Sequence, residues 1–134
     1  MINATGAWVN KLFDDEEKSV PLRPLRGSHL IVNSWRLPVA SAISVPHPED
    51  RRPVQIFPWQ NVTIIGTTDV EHNEDISLEP RISQTEFDYL LACVKYQFPD
   101  ANLTKADIIS SFAGVRPVIA SGGVVKPSQE KREH

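Results

Sequence analysis

The sequence predicts an α+β fold in which one long amphipathic helix packs on a largely antiparallel, or mixed, β-sheet. Only residues 83–98 carry apolar residues at helical spacing over several turns. Short runs rich in β-branched and aromatic residues lie elsewhere between turn-forming residues. The chain has no alternating series of strands and helices, the pattern that would indicate a parallel sheet.

The long helix is predicted to run from Ser83 to Phe98. Ser83 precedes Glu86 by the three residues of a capping box, and Pro99 ends the helical pattern. The apolar positions at steps of three and four are Phe87, Leu90, Leu91, Val94 and Phe98. We expect the first four of these to form the main apolar contact between helix and sheet.

A short helix is predicted near the start of the chain, before the acidic run Asp14–Glu17. The residues that share its predicted face are Ala7, Trp8, Lys11 and Leu12. The preceding residues 2–6 begin apolar and then turn sharply, which is typical of the close of a buried strand. We therefore expect the chain to continue a longer protein.

Four strands are predicted from apolar runs bounded by Gly, Pro, Asn or Asp. They are His29–Val32, Val54–Phe57, Val62–Ile65 and Ile108–Phe112. The second and third are separated by the turn-forming residues 58–61, which predicts an antiparallel hairpin.

Composition limits the function classes. The chain has 134 residues, 40% of them hydrophobic, and a formal net charge of -3, which predicts one folded domain and disfavours nucleic acid as a partner. The single cysteine, Cys93, excludes an intrachain disulfide, and its place on the apolar side of the long helix predicts an inert core thiol. No run of 18 apolar residues or signal peptide is present, which predicts a cytoplasmic location.

No metal site is predicted. The acidic stretch Asp69–Asp75 resembles part of a calcium loop, but Glu74 stands where that loop requires glycine. The polar residues 126–134 are predicted to be a disordered tail, and residues 1–125 the domain itself.

Three residues stand out as candidate ligand-binding groups. Arg116 follows a predicted strand and precedes a proline, so its planar guanidinium suits a carboxylate or phosphate; the alternative is a surface arginine whose stem covers apolar neighbours. His29 could take a proton from a hydroxyl, or could be satisfied by a backbone carbonyl. Thr68 lies either in a ligand-contacting turn or in an ordinary one.

Five motifs occur in an order that resembles FAD-dependent, respiratory-type glycerol-3-phosphate dehydrogenases, within the wider group of D-amino-acid-oxidase-like flavoproteins. The resemblance extends from the start of the chain to about Val118. The motifs are residues 3–8 (NATGAW), 23–29 (RPLRGSH), 58–59 (PW), 65–70 (IGTTDV) and 111–117 (SFAGVRP).

The resemblance implies an oxidoreductase with FAD as cofactor and glycerol 3-phosphate as substrate. Thr5, Gly6 and Trp8 match the segment that lies along the FAD in that family. The substrate would pass a hydride to the flavin and give dihydroxyacetone phosphate. The quinone pool would then reoxidise the flavin, at the inner face of the membrane in the parent enzyme.

The resemblance also implies a substrate pocket. Arg116 matches the arginine that faces the substrate, His29 matches a histidine of the same pocket, and both are expected to be catalytic. Thr68 matches a threonine of the nearby Gly-Thr-Thr-Asp turn. We therefore expect these three residues to bind the substrate.

One departure from the family is informative. The six glycines of the chain do not form the Gly-x-Gly-x-x-Gly motif of a dinucleotide-binding domain. We therefore expect a substrate-binding, or cap, fragment of a larger flavoenzyme, inactive alone and without bound FAD. Two alternatives stay open: a cap domain of an amine or amino-acid oxidase, in which Arg116 holds a carboxylate, and a free-standing module that binds a small phosphorylated ligand.

Overall fold

The computed structural model describes residue 2, residues 4–12 and residues 21–120 of the chain. The predicted tail at 126–134 and the acidic run at 14–17 lie outside these residues. The described residues form two compact units: a smaller unit (residues 2, 4–12, 21–27, 69–80 and 114–120) and a larger unit (residues 28–68 and 81–113).

The predicted α+β class is confirmed: the described residues contain a six-stranded antiparallel sheet and one α-helix, α1. The strands are β1 (Leu22–Asn33), β2 (Ile43–Pro46), β3 (Pro53–Trp59), β4 (Val62–Gly66), β5 (Val70–Glu71) and β6 (Ile108–Ile119), and α1 is Gln84–Gln97. The order is β2-β3-β4-β1-β5, and β6 also pairs with β1.

All four predicted strands lie inside observed ones, but two short strands were not predicted. Among the described strands, β2 pairs with β3 alone and ends in proline, as expected for an edge strand. Its four residues are too short an apolar run to identify from the sequence. β5 has only two residues. β1 begins at Leu22, before the predicted start at His29. The prediction missed this first half because its proline and two arginines are typical of a loop.

The predicted hairpin is confirmed as β3 and β4, with a shorter connection than expected. Trp59 pairs with Val62, so the turn consists of Gln60 and Asn61 instead of residues 58–61. Gln60 has a positive φ of 52°, the backbone geometry that two-residue hairpin turns use.

Helix α1 has the predicted cap. The Ser83 hydroxyl accepts a hydrogen bond from the Glu86 amide at 3.3 Å, and the Glu86 carboxylate accepts one from the Ser83 amide at 2.9 Å. The helix ends at Gln97 with Phe98 as its C-cap, next to Pro99. The predicted capping box and helix bounds are both confirmed.

The predicted apolar face of α1 is also confirmed. Leu90, Leu91 and Val94 are buried, and Phe87 packs partly buried against the same cluster. Their buried partners on the strands are Leu30, Val32, Val54, Ile56 and Ile65. Cys93 belongs to this core, and burial raises the pKa of its thiol to about 11, which keeps the thiol protonated and inert.

A buried histidine attaches the loop between β2 and β3 to α1. The His47 ring stacks on Tyr89 at 3.6 Å between centroids, and its Nε2 lies 3.0 Å from the Tyr89 carbonyl oxygen. Because Nδ1 accepts from the Glu49 amide, Nε2 carries the proton and donates to that carbonyl. Burial and a hydrogen bond to Asp50 raise the pKa of the Tyr89 phenol.

In the smaller unit, the predicted N-terminal helix is present but of another type. Residues Gly6–Leu12 form a 3-10 helix, in which the Trp8 amide donates to the carbonyl of Thr5, three residues earlier. The predicted close of a buried strand at residues 2–6 stays a prediction, because residues 1 and 3 lie outside the described part of the chain.

The smaller unit also holds the first half of β1 against β5. Leu25 pairs with Glu71, and Arg26 pairs with Val70. A side-chain hydrogen bond spans the same two strands, because Arg23 Nε donates to Glu71 Oε1 at 2.8 Å.

Replacing Leu91 by alanine tests the predicted helix phase. The change removes a buried side chain and leaves a cavity, so the free energy of unfolding should fall by about 2 to 5 kcal/mol in urea melts. Thr85→Ala, at an exposed position of the same helix, is the control. A loss at Leu91 no larger than the control's would contradict the observed burial.

Candidate functional site

In the larger unit, the buried side chain of Glu86 joins Thr68 to Ser28, the strand residue that precedes His29. Glu86 is 2% exposed, and its Oε1 accepts hydrogen bonds from Ser28 Oγ at 2.7 Å and Thr68 Oγ1 at 2.6 Å. The Ser28 amide donates to Thr68 Oγ1 at 2.9 Å. Thr68 therefore donates to Glu86 and accepts from Ser28, which fixes its hydroxyl.

The second carboxylate oxygen of Glu86 belongs to the helix cap. Glu86 Oε2 accepts from the Ser83 amide at 2.9 Å and the Ser83 hydroxyl at 2.8 Å. Both oxygens of this buried carboxyl group thus have hydrogen-bond partners, as a buried polar group requires. The sequence signal for Glu86 was the capping box alone, so its link to Ser28 and Thr68 was not predicted.

His29 lies opposite Gly66 in the pairing of β1 with β4. Its imidazole occupies the space of a side chain at residue 66: a Cβ built there would lie 2.7 Å from His29 Cγ. Phe112 of β6 stacks on the same imidazole, with 4.5 Å between ring centroids and 8° between planes. Neither contact was predicted from the sequence.

Arg116 lies in the smaller unit and forms an ion pair. Its Nη1 donates to Asp69 Oδ1 at 2.8 Å, and the two side chains are 30% and 12% exposed. The guanidinium is thus held by a carboxylate of the chain. A guanidinium carries five N–H donors in a fixed plane, so holding one of them orients the others.

Thr5, Gly6 and Trp8 also lie in the smaller unit. Gly6 has a positive φ of 57°, and a Cβ built there would meet no atom within 4 Å. Trp8 is 45% exposed. The segment therefore presents an open backbone face beside an accessible aromatic ring, which fits the close approach of a large planar group such as a flavin.

The predicted site residues divide between the two units. His29 and Thr68 belong to the larger unit. Thr68 is hydrogen-bonded to Glu86 and to Ser28, the residue that precedes His29 in the sequence. Arg116 and the segment from Thr5 to Trp8 belong to the smaller unit. The roles assigned to all six residues stay predictions.

Other features of the described residues are distinct from these positions. An open cavity of about 390 Å³ in the larger unit lies between the turn after β1 and the end of α1, and no predicted site residue lines it. The described residues contain no cluster of three His, Cys, Asp or Glu side chains able to hold a metal ion. Nor does any helix in those ranges have the length and apolarity needed to cross a membrane.

Comparison with known proteins defines the class. Residues 1–132 match the family described as FAD dependent oxidoreductase. The chain belongs to that family. Its fold also matches glycine oxidase from Geobacillus kaustophilus, at 23% identity over 87% of this chain and 29% of that chain, with a TM-score of 0.62.

More similar relatives narrow the class. The chain is 39% identical over 124 residues to alpha-glycerophosphate oxidase of Streptococcus pyogenes, covering 90% of this chain and 20% of the relative. It is 37% identical over 133 residues to that of Enterococcus casseliflavus, covering 92% and 21%. The chain therefore spans about a fifth of the length of these relatives.

A solved structure agrees. The glycerol-3-phosphate dehydrogenase from Bacillus halodurans, complexed with FAD, is 34% identical, covers 96% of this chain and 26% of that chain, and has a TM-score of 0.79. The resemblance to FAD-dependent glycerol-3-phosphate dehydrogenases inferred from the motifs is thereby confirmed.

Gly66→Ala tests the packing of His29. The new methyl group would overlap the imidazole, so we expect a loss of about 1 to 3 kcal/mol in the free energy of unfolding. Gly114→Ala is the matched control, because a Cβ there meets no atom within 4 Å. Adding His29→Ala to Gly66→Ala should recover stability, and equal melts for both glycine variants would contradict the geometry.

Glu86→Gln tests the buried carboxylate. The amide keeps the size of the side chain but turns one acceptor into a donor that faces other donors, so unfolding should become easier by about 1.5 to 3 kcal/mol. Asp88→Asn, an exposed carboxylate on the same helix that accepts from Gln84, serves as the control. If calorimetry finds the two variants equally stable, the Glu86 hydrogen bonds contribute nothing measurable.

Proposed function

We propose that the parent protein of this chain is an FAD-dependent enzyme that oxidises glycerol 3-phosphate to dihydroxyacetone phosphate, and that this chain forms its substrate-binding part. The observation that carries the proposal is the identity of 34% to 39%, over nine tenths or more of the chain, with proteins named for this substrate. The motifs that carry His29, Thr68 and Arg116 add support.

The cofactor-binding residues of this chain would be Thr5, Gly6 and Trp8. The open face at Gly6 leaves room for a flavin next to the backbone, and the exposed Trp8 ring offers it an apolar surface. FAD, when bound, supplies the acceptor for the hydride that leaves the substrate carbon.

Arg116 would bind the anionic end of the substrate. A guanidinium donates two parallel hydrogen bonds to a phosphate, and the ion pair with Asp69 sets the plane from which it does so. In the same proposal, the turn that carries Thr68 contacts the substrate, and the buried Thr68 hydroxyl holds that turn in place by donating to Glu86.

His29 would accept the proton of the C2 hydroxyl as the hydride leaves. An imidazole suits this step because its unperturbed pKa lies near neutral pH, where it is both available as a base and able to hold the proton. The stacking on Phe112 keeps the imidazole in one plane.

Quinone is the electron acceptor that we propose, with the parent in the cytoplasm at the inner face of the membrane. The name dehydrogenase on the solved relative supports this acceptor. The name oxidase on the curated relatives supports dioxygen as the alternative. Anaerobic turnover of the parent with a soluble quinone, compared with oxygen consumption in air, separates the two acceptors.

Two variants of the parent enzyme test the substrate site. Arg116→Lys keeps the charge but loses the planar fork, so kcat/KM for glycerol 3-phosphate should fall about ten- to a hundredfold. His29→Gln should instead lower mainly kcat and flatten the acidic limb of the pH profile, because it removes the proton acceptor. Stopped-flow flavin reduction measures both effects.

Arg52→Lys is the matched control for Arg116→Lys. Arg52 is also paired with an aspartate, Asp50, at 2.6 Å and has similar exposure, yet it has no place in the proposed site. Wild-type reduction rates in both site variants would overturn the roles of Arg116 and His29. Reduction of the parent by glycine but not by glycerol 3-phosphate would overturn the proposed substrate and favour an amino-acid oxidase.

A further inference from the structure

The proposed base, His29, has an aromatic neighbour on another strand of the larger unit. Phe112 on β6 stacks on the imidazole with parallel rings, 4.5 Å between centroids and 8° between planes. Gly66 on β4 leaves the space that the imidazole fills, since a Cβ at residue 66 would lie 2.9 Å from His29 Nε2. Two strands that flank β1 thus shape the position of one ring.

These two contacts do different things. The missing side chain of Gly66 admits the imidazole, but free space does not select one rotation about the bond that carries the ring. A stacked aromatic ring does select one, because the parallel arrangement is lost when either ring turns. The nitrogens of an imidazole accept protons in the plane of the ring, so the plane decides which atom they face.

Phe112 is poorly placed to serve core packing alone. It is absent from the buried cluster that α1 forms with the sheet, and its ring lies instead on the imidazole of His29. A ring that lies outside this cluster and stacks on a histidine contributes more to the geometry of that histidine than to the apolar core.

We propose that Phe112 is a positioning residue that holds the imidazole of His29 in the plane needed to accept the substrate hydroxyl proton. The inference rests on the proposed function and extends it to a residue that does not itself touch the reacting atoms. Misplacing a catalytic group by about 1 Å can cost on the order of a hundredfold in rate, so loss of the stack should be measurable.

The test uses the flavin-loaded parent enzyme. Phe112→Leu keeps an apolar side chain but cannot stack, so the rate of flavin reduction by glycerol 3-phosphate should fall about ten- to a hundredfold with little change in KM. Phe112→Tyr keeps the stacked ring and should retain most of the rate. Tyr96→Leu, at an exposed aromatic on α1 that lies in neither proposed site, is the matched control and should leave the rate unchanged.

A double variant makes the test specific for His29. If Phe112 acts through the imidazole, Phe112→Leu should cause no further loss once His29 has been replaced by glutamine. Independent, multiplying losses would overturn the inference, as would a Phe112→Leu enzyme with the rate of the wild type. A parent whose flavin glycerol 3-phosphate does not reduce would overturn the proposed function itself, and these two failures are therefore distinguishable.

Discussion

The buried carboxylate of Glu86 is the interaction on which the larger unit depends. It caps the first turn of α1 through Ser83 and, with its other oxygen, accepts hydrogen bonds from Ser28 and Thr68. A buried polar group is costly unless each of its oxygens finds a hydrogen-bond partner, so the three segments come together in an arrangement that supplies these partners. The start of the helix, the middle of β1 and the residues after β4 are thereby tied to one carboxyl group.

The candidate site residues of the larger unit are connected to the Glu86 carboxyl group through the hydrogen bonds of Ser28 and Thr68. Ser28 precedes His29, and Thr68 itself belongs to the hydrogen-bond network. The position of the His29 ring depends on two further features, the missing side chain at Gly66 and the stacked ring of Phe112. The Glu86 hydrogen bonds fix the backbone before His29, and the Phe112 ring fixes its imidazole. Both supports matter because the residues around a functional group decide its orientation.

Charged pairs play the corresponding part in the smaller unit. Arg23 binds Glu71 across the pairing of β1 with β5, and Arg116 binds Asp69. Such partly exposed pairs add little to stability, so their contribution here is orientation. For Arg116 this orientation matters most, since the proposed binding of a phosphate depends on the direction of the guanidinium plane.

Local patterns in the sequence determined the helix, its capping box and its buried face, because those features depend on residues three and four positions apart. Local patterns also determined the β3–β4 hairpin. The five short motifs indicated the family. Only the tertiary structure decided the contacts between distant residues: the bonds of Glu86 to Ser28 and Thr68, the ring of His29 over Gly66, and the pairing of Arg116 with Asp69. The physical reason is that the register of the paired strands, which no local pattern fixes across tens of residues, decides which side chains face one another.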